Sequence, residues 1–179
     1  MVRMVAIVVL GLVMLADMAR ADEDALAKAM ARDPDRFLSR VGDLIAGFGV
    51  SGALRPDGIE TYVALTRAGA RASALRRFLA MDLDADGTIG RAELDTSQRA
   101  ASAATRGRME RQFTAADVDG DRQVDADELA AAGQAAGLRA LAEAEADMLR
   151  ALMRLDADGD GALALAEVEA ALNRLDDPA

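Results

Sequence analysis

Three segments of twelve residues place carboxylates at the same offsets. Each has aspartate at positions 1, 3 and 5 and glutamate at position 12, and the segments are 82–93 (DLDADGTIGRAE), 117–128 (DVDGDRQVDADE) and 156–167 (DADGDGALALAE). A solvated acidic surface has no reason to keep those offsets three times. Carboxylates held this close repel one another unless a cation lies among them. The repetition therefore predicts sites for a hard divalent cation that prefers oxygen ligands.

The spacing has a geometric reason. A chain that wraps a spherical ion turns every second side chain inward, so positions 1, 3 and 5 reach the ion from one side. Position 7 supplies a backbone carbonyl, position 9 a side chain or a water molecule, and position 12 a bidentate carboxylate from the other side. Glycine at position 6, as at Gly87 and Gly161, permits the positive φ of the sharp turn. The apolar residue at position 8 (Ile89, Val124, Leu163) points away from the ion and can pair with its counterpart in a neighbouring loop.

These residues resemble the EF-hand calcium-binding loop, and the chain is similar to exported bacterial members of the EF-hand superfamily with several calmodulin-like hands. The resemblance implies up to three bound Ca²⁺ ions, with Mg²⁺ as a weaker competitor, because a bidentate glutamate suits seven-coordinate calcium better than octahedral magnesium. In the loop 82–93 the implied ligands are Asp82, Asp84, Asp86, Thr88 and Glu93. In the loop 117–128 they are Asp117, Asp119, Asp121, Gln123, Asp125 and Glu128. In the loop 156–167 they are Asp156, Asp158, Asp160, Ala162 and Glu167.

The loop 117–128 departs from the pattern at position 6, where Arg122 replaces glycine. Positive φ at a residue with a Cβ costs about 1 kcal/mol. Asp125 at position 9 can compensate with a further oxygen, and Asp127 adds charge. We therefore expect this loop to bind calcium, but more weakly or less selectively than the other two.

A fourth, degenerate hand is expected before the first acidic loop. Phe48 and Ile59 repeat the interval that separates the apolar residue before each loop from its position 8, which predicts a loop at 52–63. Its ligand positions would be Gly52, Leu54, Pro56 and Val63, none of which binds calcium through a side chain. The hand would serve packing, with Ile59 bridging to Ile89. An ordinary helix–turn–helix is the alternative interpretation.

The composition agrees with a helical, acidic, metal-binding chain. The 179 residues are 52% apolar but only 3% aromatic, which suits helices packed through small side chains, and the expected fold class is all-α. The formal charge of −10 disfavours nucleic acid or an anionic membrane as a partner. Cysteine and histidine are absent, which excludes disulfides, thiol nucleophiles and zinc sites of the usual kind.

The N-terminus has the build of a secretory signal. Arg3 is followed by an apolar stretch at 4–16, and the small residues Ala19 and Ala21 favour cleavage after Ala21. The apolar stretch is shorter than the roughly 20 residues of a spanning helix. We therefore expect a periplasmic or secreted protein that has no membrane contact once the signal is removed. An uncleaved anchor and a cytosolic start are the alternatives.

The expected organisation has five parts. They are a signal peptide (1–21), an N-terminal segment (22–32), one EF-hand pair at 33–105 (degenerate hand 37–68 and the hand with loop 82–93), a second pair at 106–175 (loops 117–128 and 156–167) and a C-terminal tail (176–179). Gly69, Gly107, Gly133 and Gly137 are expected at the turns between helices.

Calcium binding is compatible with several functions. The first interpretation is a structural or buffering role for the ions, which an exported module favours. The second is a calcium sensor that exposes an apolar groove to a protein partner. A scaffold that binds a partner regardless of calcium is the third. An enzyme is not expected, because the well-placed carboxylates are used as ligands. The basic segment around Arg99, Arg106, Arg108 and Arg111 is interpreted as a solvated helical face, or as a contact surface for an acidic partner.

Overall fold

A computed structural model describes residues 25–176, and these residues are mostly helical, which confirms the all-α fold class. The helices are α1 (25–32), α2 (Pro34–Phe48), α3 (Pro56–Leu79), α4 (Arg91–Arg99), α5 (Ala103–Ala116), α6 (Ala126–Ala140), α7 (Glu143–Ala151) and α8 (Leu165–Asp176), with a 3₁₀ helix at Leu152–Leu155. The strands are β1 (Ala53–Leu54), β2 (Ile89–Gly90), β3 (Gln123–Val124) and β4 (Leu163–Ala164).

The predicted signal peptide, residues 1–21, lies outside the described residues, as do residues 177–179 of the predicted tail. Across 25–176, no helix combines the length and the apolar character that crossing a membrane requires. The predicted N-terminal segment contains α1, which buries Leu26 and Met30. These side chains are four residues apart, so they lie on one face of the helix.

The chain divides into two compact units, and the division falls inside α3 after Val63. The described residues of the outer unit are 25–63 and 143–176, and the central unit is Ala64–Ala142. In the outer unit β1 pairs antiparallel with β4, which places Leu54 opposite Leu163. In the central unit β2 pairs antiparallel with β3, which places Ile89 opposite Val124. The first hand therefore pairs with the last, and the two middle hands pair with each other.

The expected pairing of consecutive hands, within 33–105 and within 106–175, is wrong, and so is the expected bridge between Ile59 and Ile89. The reason is α3, which runs from Pro56 to Leu79 without a turn. Gly69 lies inside this helix rather than at a turn between two helices. Gly107 likewise lies inside α5, and Gly133 and Gly137 lie inside α6. Because α3 is continuous, the chain cannot fold back between the first and second loops.

The first loop is a tight turn, and the expected loop at 52–63 is wrong. Val50 and Ala53 exchange two backbone hydrogen bonds, of 2.9 and 3.2 Å. Ser51 and Gly52, between them, have positive φ angles of 56° and 84°. Two successive residues with positive φ are the pattern of a type I′ turn. Leu54 thus takes the place of position 8, whereas Ile59 is buried on α3.

Local sequence explains why this loop is short. Pro56 occupies the first position of α3, where its fixed φ and missing N–H are tolerated. A Cβ at Gly49 would lie 2.4 Å from the carbonyl oxygen of Ile45, and one at Gly58 would lie 2.5 Å from the carbonyl oxygen of Phe48. The backbone around the turn therefore packs directly against neighbouring carbonyl groups, which leaves no room for a side chain at either glycine. No carboxylate occurs among residues 49–55, so the chain offers no acidic ligand to an ion here.

The helices of the outer unit are held by capping, packing and ion pairs. Asp33 caps α2, because its Oδ1 accepts a hydrogen bond from the Arg36 N–H at 3.1 Å, and Pro34 follows as the first helical residue. Aspartate directly before proline is a sequence signal for the start of a helix. Arg150 on α7 pairs with Glu60 on α3 at 2.6 Å and with Asp147 at 2.7 Å. These pairs are partly exposed, so each contributes less than about 1 kcal/mol.

The central unit packs α6 closely against the second half of α3. A Cβ at Gly133 would lie 3.0 Å from Cγ of Arg71, and one at Gly137 would lie 3.3 Å from the carbonyl oxygen of Arg67. Arg67 Nε donates a hydrogen bond of 3.0 Å to the carbonyl of Leu141 just after α6. The two glycines thus allow a helix approach that side chains would prevent.

The apolar core of the central unit lies beneath the paired strands. Its buried residues come from both hands and are Phe78, Met81, Ile89, Leu94, Phe113, Ala116, Val124 and Leu129. The position-8 residues of the two loops therefore belong to this core.

Candidate metal centres

The three acidic loops share one hydrogen-bond pattern. The position-1 carboxylate accepts a hydrogen bond from the N–H of position 6, with distances of 3.2, 3.2 and 2.9 Å in chain order. The position-3 carboxylate accepts from the N–H of position 5, and the position-5 carboxylate accepts from the N–H of position 7. These bonds turn alternate carboxylates toward the inside of each loop.

The position-12 glutamate closes each loop from the other side. Its Oε1 accepts a hydrogen bond from the N–H of position 2, at 2.6, 2.6 and 2.7 Å in chain order. Its Oε2 accepts from the N–H of position 9, at 2.8, 3.2 and 2.9 Å. Each glutamate stands in the first turn of the outgoing helix, so that helix positions it.

This arrangement brings together the carboxylates of positions 1, 3 and 12. Within each loop one oxygen from each residue lies within 4.8 Å of the others, and the groups are Asp82 with Asp84 and Glu93, Asp117 with Asp119 and Glu128, and Asp156 with Asp158 and Glu167. Positions 1 and 12 are half-buried and position 3 is exposed. Three negative charges this close favour a cation among them.

The other expected ligands lie beside these groups. The position-5 aspartates Asp86, Asp121 and Asp160 are bonded to the N–H of position 7 and are not part of the 4.8 Å groups. Position 7 is Thr88, Gln123 or Ala162, and its backbone N–H donates a hydrogen bond to the position-5 carboxylate of the same loop.

Asp125 has a further role that the spacing did not predict. Its Oδ1 accepts hydrogen bonds from the N–H groups of Asp127 and Glu128, so its side chain caps α6. Aspartate followed three residues later by glutamate, directly before an apolar run, is a sequence signal for such a cap.

One carboxylate oxygen distinguishes the loop 82–93 from the other two acidic loops. Asp82 Oδ1 is buried and has no hydrogen-bond partner among the described residues. In the other two loops the equivalent oxygen accepts from the N–H of position 4, at 2.8 Å from Gly120 and at 2.8 Å from Gly159. An unpaired buried carboxylate oxygen is costly, and a metal ion would satisfy it. The donor set, entirely oxygen, fits Ca²⁺.

Backbone and hydroxyl donors favour the ionised form of two loop carboxylates. The N–H of Thr88, and then its hydroxyl group, lower the pKa of Asp86. The N–H groups of Ala164 and Ala157 lower the pKa of Glu167. Deprotonated carboxylates are the form that coordinates a metal.

Each acidic loop needs positive φ at two positions, 4 and 6, and only position 6 was expected from the sequence. At position 4 the φ angles are 61° for Ala85, 77° for Gly120 and 75° for Gly159. At position 6, Arg122 has a φ of 69°. The loops 82–93 and 117–128 thus each contain one strained residue with a Cβ, whereas 156–167 has glycine at both positions.

Relief of this strain should tighten calcium binding in both loops. We expect Ala85→Gly and Arg122→Gly each to increase the affinity of their own loop about fivefold, because about 1 kcal/mol of backbone strain is removed. In the first case the new glycine can also bring its N–H to Asp82 Oδ1, as in the other loops. Calcium titration of each variant by calorimetry measures the effect. Unchanged binding curves for both variants would refute the strain argument.

Comparison with known proteins agrees with this geometry. Residues 75–96 match the family model described as EF hand. The match covers the end of α3, the loop 82–93 and the first part of α4. Neither the curated proteins nor the solved structures gave a significant match. The EF-hand match and the three carboxylate groups together fit calcium binding.

Proposed function

We propose that the protein is an exported calcium-binding protein whose EF hands bind up to three Ca²⁺ ions, with Mg²⁺ as a weaker competitor. The observation that carries this proposal is the recurrence of one carboxylate arrangement, with one pattern of backbone hydrogen bonds, in three separate loops. The ligands would be the side chains of positions 1, 3, 5 and 12 with the carbonyl of position 7. A bound ion would offset the repulsion among these carboxylates.

We further propose that calcium has a structural or buffering role. The support lies in the connection between each loop and its core: the position-8 residues Ile89, Val124 and Leu163 are each 0% exposed. Order in the loop therefore fixes a residue of the core and the strand pair that it belongs to. An ion that holds the loop closed stabilises the folded state, because binding to the folded form alone adds to the free energy of unfolding.

Export rests on the sequence of residues 1–21. A periplasmic or extracellular protein meets calcium at concentrations that keep weak sites occupied, which agrees with a structural role. The intact mass of the protein recovered from its native host should correspond to a chain that begins at Asp22. A chain that retains residues 1–21 would contradict cleavage after Ala21 and would favour an uncleaved anchor or a cytosolic protein.

A calcium titration tests the structural role. We expect saturation near three equivalents, with a rise in far-ultraviolet helical signal and in the midpoint of thermal unfolding. The fluorescence of a hydrophobic dye should fall or stay constant, because calcium closes the structure. A calcium-dependent rise in dye fluorescence would instead indicate an exposed apolar groove and would favour a sensor.

A further inference from the structure

The central unit contains an open groove of about 260 Å³ that is lined mainly by apolar and basic residues and by no residue of the acidic loops. Residues of α3, α5 and α6 line it, and its base is formed by Phe78 together with alanines from all three helices. Four arginines surround this apolar base: Arg77, Arg108, Arg111 and Arg139. No carboxylate lines the groove, although the chain as a whole carries a formal charge of −10.

The four arginines are exposed and lack partners in the described part of the chain. None of their guanidinium groups donates a hydrogen bond or forms an ion pair there, whereas Arg91 pairs with Asp95 and Glu110, and Arg150 pairs with three carboxylates. Guanidinium groups that collect around one apolar base without any carboxylate create a local positive field that favours an anionic ligand.

We propose that this groove binds an acidic, amphipathic segment of a partner protein. The apolar side chains of the segment would pack on Phe78 and the surrounding alanines, and its carboxylates would pair with the arginines on the rim. Small alanine side chains permit a close approach of a helix or an extended segment. Guanidinium groups form bidentate bonds with carboxylates, so the rim selects for the sign of charge on the segment.

The arrangement assigns different tasks to the base and the rim. Burial of apolar surface supplies most of the attraction, and salt does not screen this term as it screens charge pairs. Exposed ion pairs are individually weak and are screened by salt, so the rim contributes mainly selectivity and a rapid encounter. Binding should therefore weaken at high salt without disappearing.

The test uses two short fluorescent helix-forming peptides that present leucines on one face. One carries glutamates beside the leucines, and the other carries lysines at the same positions. Fluorescence anisotropy with the calcium-saturated protein should show at least about tenfold tighter binding of the glutamate peptide. Equal binding of the two peptides would overturn the proposal, as would the failure of the glutamate peptide to bind.

Variants locate the site. The double variant Arg77→Gln with Arg108→Gln should weaken binding of the glutamate peptide by about three- to thirtyfold, as expected for the loss of two exposed ion pairs. The control Arg76→Gln with Arg99→Gln removes the same charge from exposed residues of α3 and α4 that do not line the groove. The control should change affinity by less than about twofold.

Two results with these variants would contradict the assignment. An equal loss in the groove and control variants would show a general charge effect rather than a site. Concentration-dependent self-association that the groove variant abolishes, without peptide binding, would assign the groove to a second copy of the chain. Circular dichroism of each variant shows whether the helices remain intact, and substitution of exposed arginines is not expected to disturb them.

Discussion

Replacement of Glu167 with glutamine should reduce the calcium bound at saturation by one equivalent. The carboxylate of Glu167 approaches Asp156 and Asp158 within 4.8 Å and accepts hydrogen bonds from Ala157 and Ala164. An amide keeps one oxygen, loses the charge and turns an NH₂ group toward either the ion or a backbone N–H. Substitution of residues that only hydrogen-bond to a metal ligand typically costs about 10- to 100-fold in metal affinity. We therefore expect the loss of the ligand itself to cost at least about 100-fold. Calorimetry gives both the stoichiometry and the affinity.

Glu169→Gln is the matched control for this variant. Glu169 lies two residues further along α8, is exposed and does not belong to a carboxylate group, yet its replacement changes the net charge equally. Its stoichiometry should remain that of the unaltered protein. We expect Glu93→Gln and Glu128→Gln each to remove one equivalent as well. If Glu167→Gln and Glu169→Gln titrate alike, the loop 156–167 is not a calcium site.

Replacement of Gly137 with leucine should lower the free energy of unfolding by about 2 kcal/mol. A Cβ at this position would lie 3.3 Å from the carbonyl oxygen and 3.4 Å from the Cβ of Arg67, and both atoms are held by α3. The remaining leucine atoms would separate α6 from α3 and weaken the hydrogen bond between Arg67 and the Leu141 carbonyl. Urea unfolding in saturating calcium, followed by circular dichroism, measures the change.

The same substitution at Gly69 separates packing from helix propensity. Gly69 is an exposed residue of α3, and a Cβ there would meet no atom within 4 Å. Gly69→Leu should therefore raise the free energy of unfolding by about 0.8 kcal/mol, because leucine is a better helix former than glycine. A stabilising effect of leucine at both positions would show that α6 and α3 do not pack as closely as described.

The sequence predicted the acidic loops well because their chemistry is local. Positions 1, 3, 5 and 12 lie within twelve residues, so the offsets alone indicate an arrangement that the structure then shows for positions 1, 3 and 12. The cap at Asp33 and Pro34 was predictable for the same reason. The strain at position 4 was missed because glycine occupies it in two loops while Ala85 occupies it in the third, which hides the requirement for positive φ.

Other features depend on residues far apart in the chain and left no local signal. The pairing of β1 with β4 joins segments that are separated by the whole central unit. The expected loop at 52–63 failed because a repeated apolar interval does not distinguish a loop from the start of a helix, and Pro56 was the better signal. The groove required arginines from α3, α5 and α6 to meet, which their positions in the sequence do not reveal.

Because of the type I′ turn at 50–53, the strand pairs of the two units depend on bound ions to different degrees. Backbone hydrogen bonds between Val50 and Ala53 fix β1, so β4 pairs with a strand whose conformation does not depend on a metal ion. The strands β2 and β3, in contrast, both belong to acidic loops, and each strand is ordered by pairing with the other. We therefore expect positive cooperativity between ions only in the central unit, and independent binding of calcium by the loop 156–167. The expected calcium titration thus combines a graded component with a steeper one.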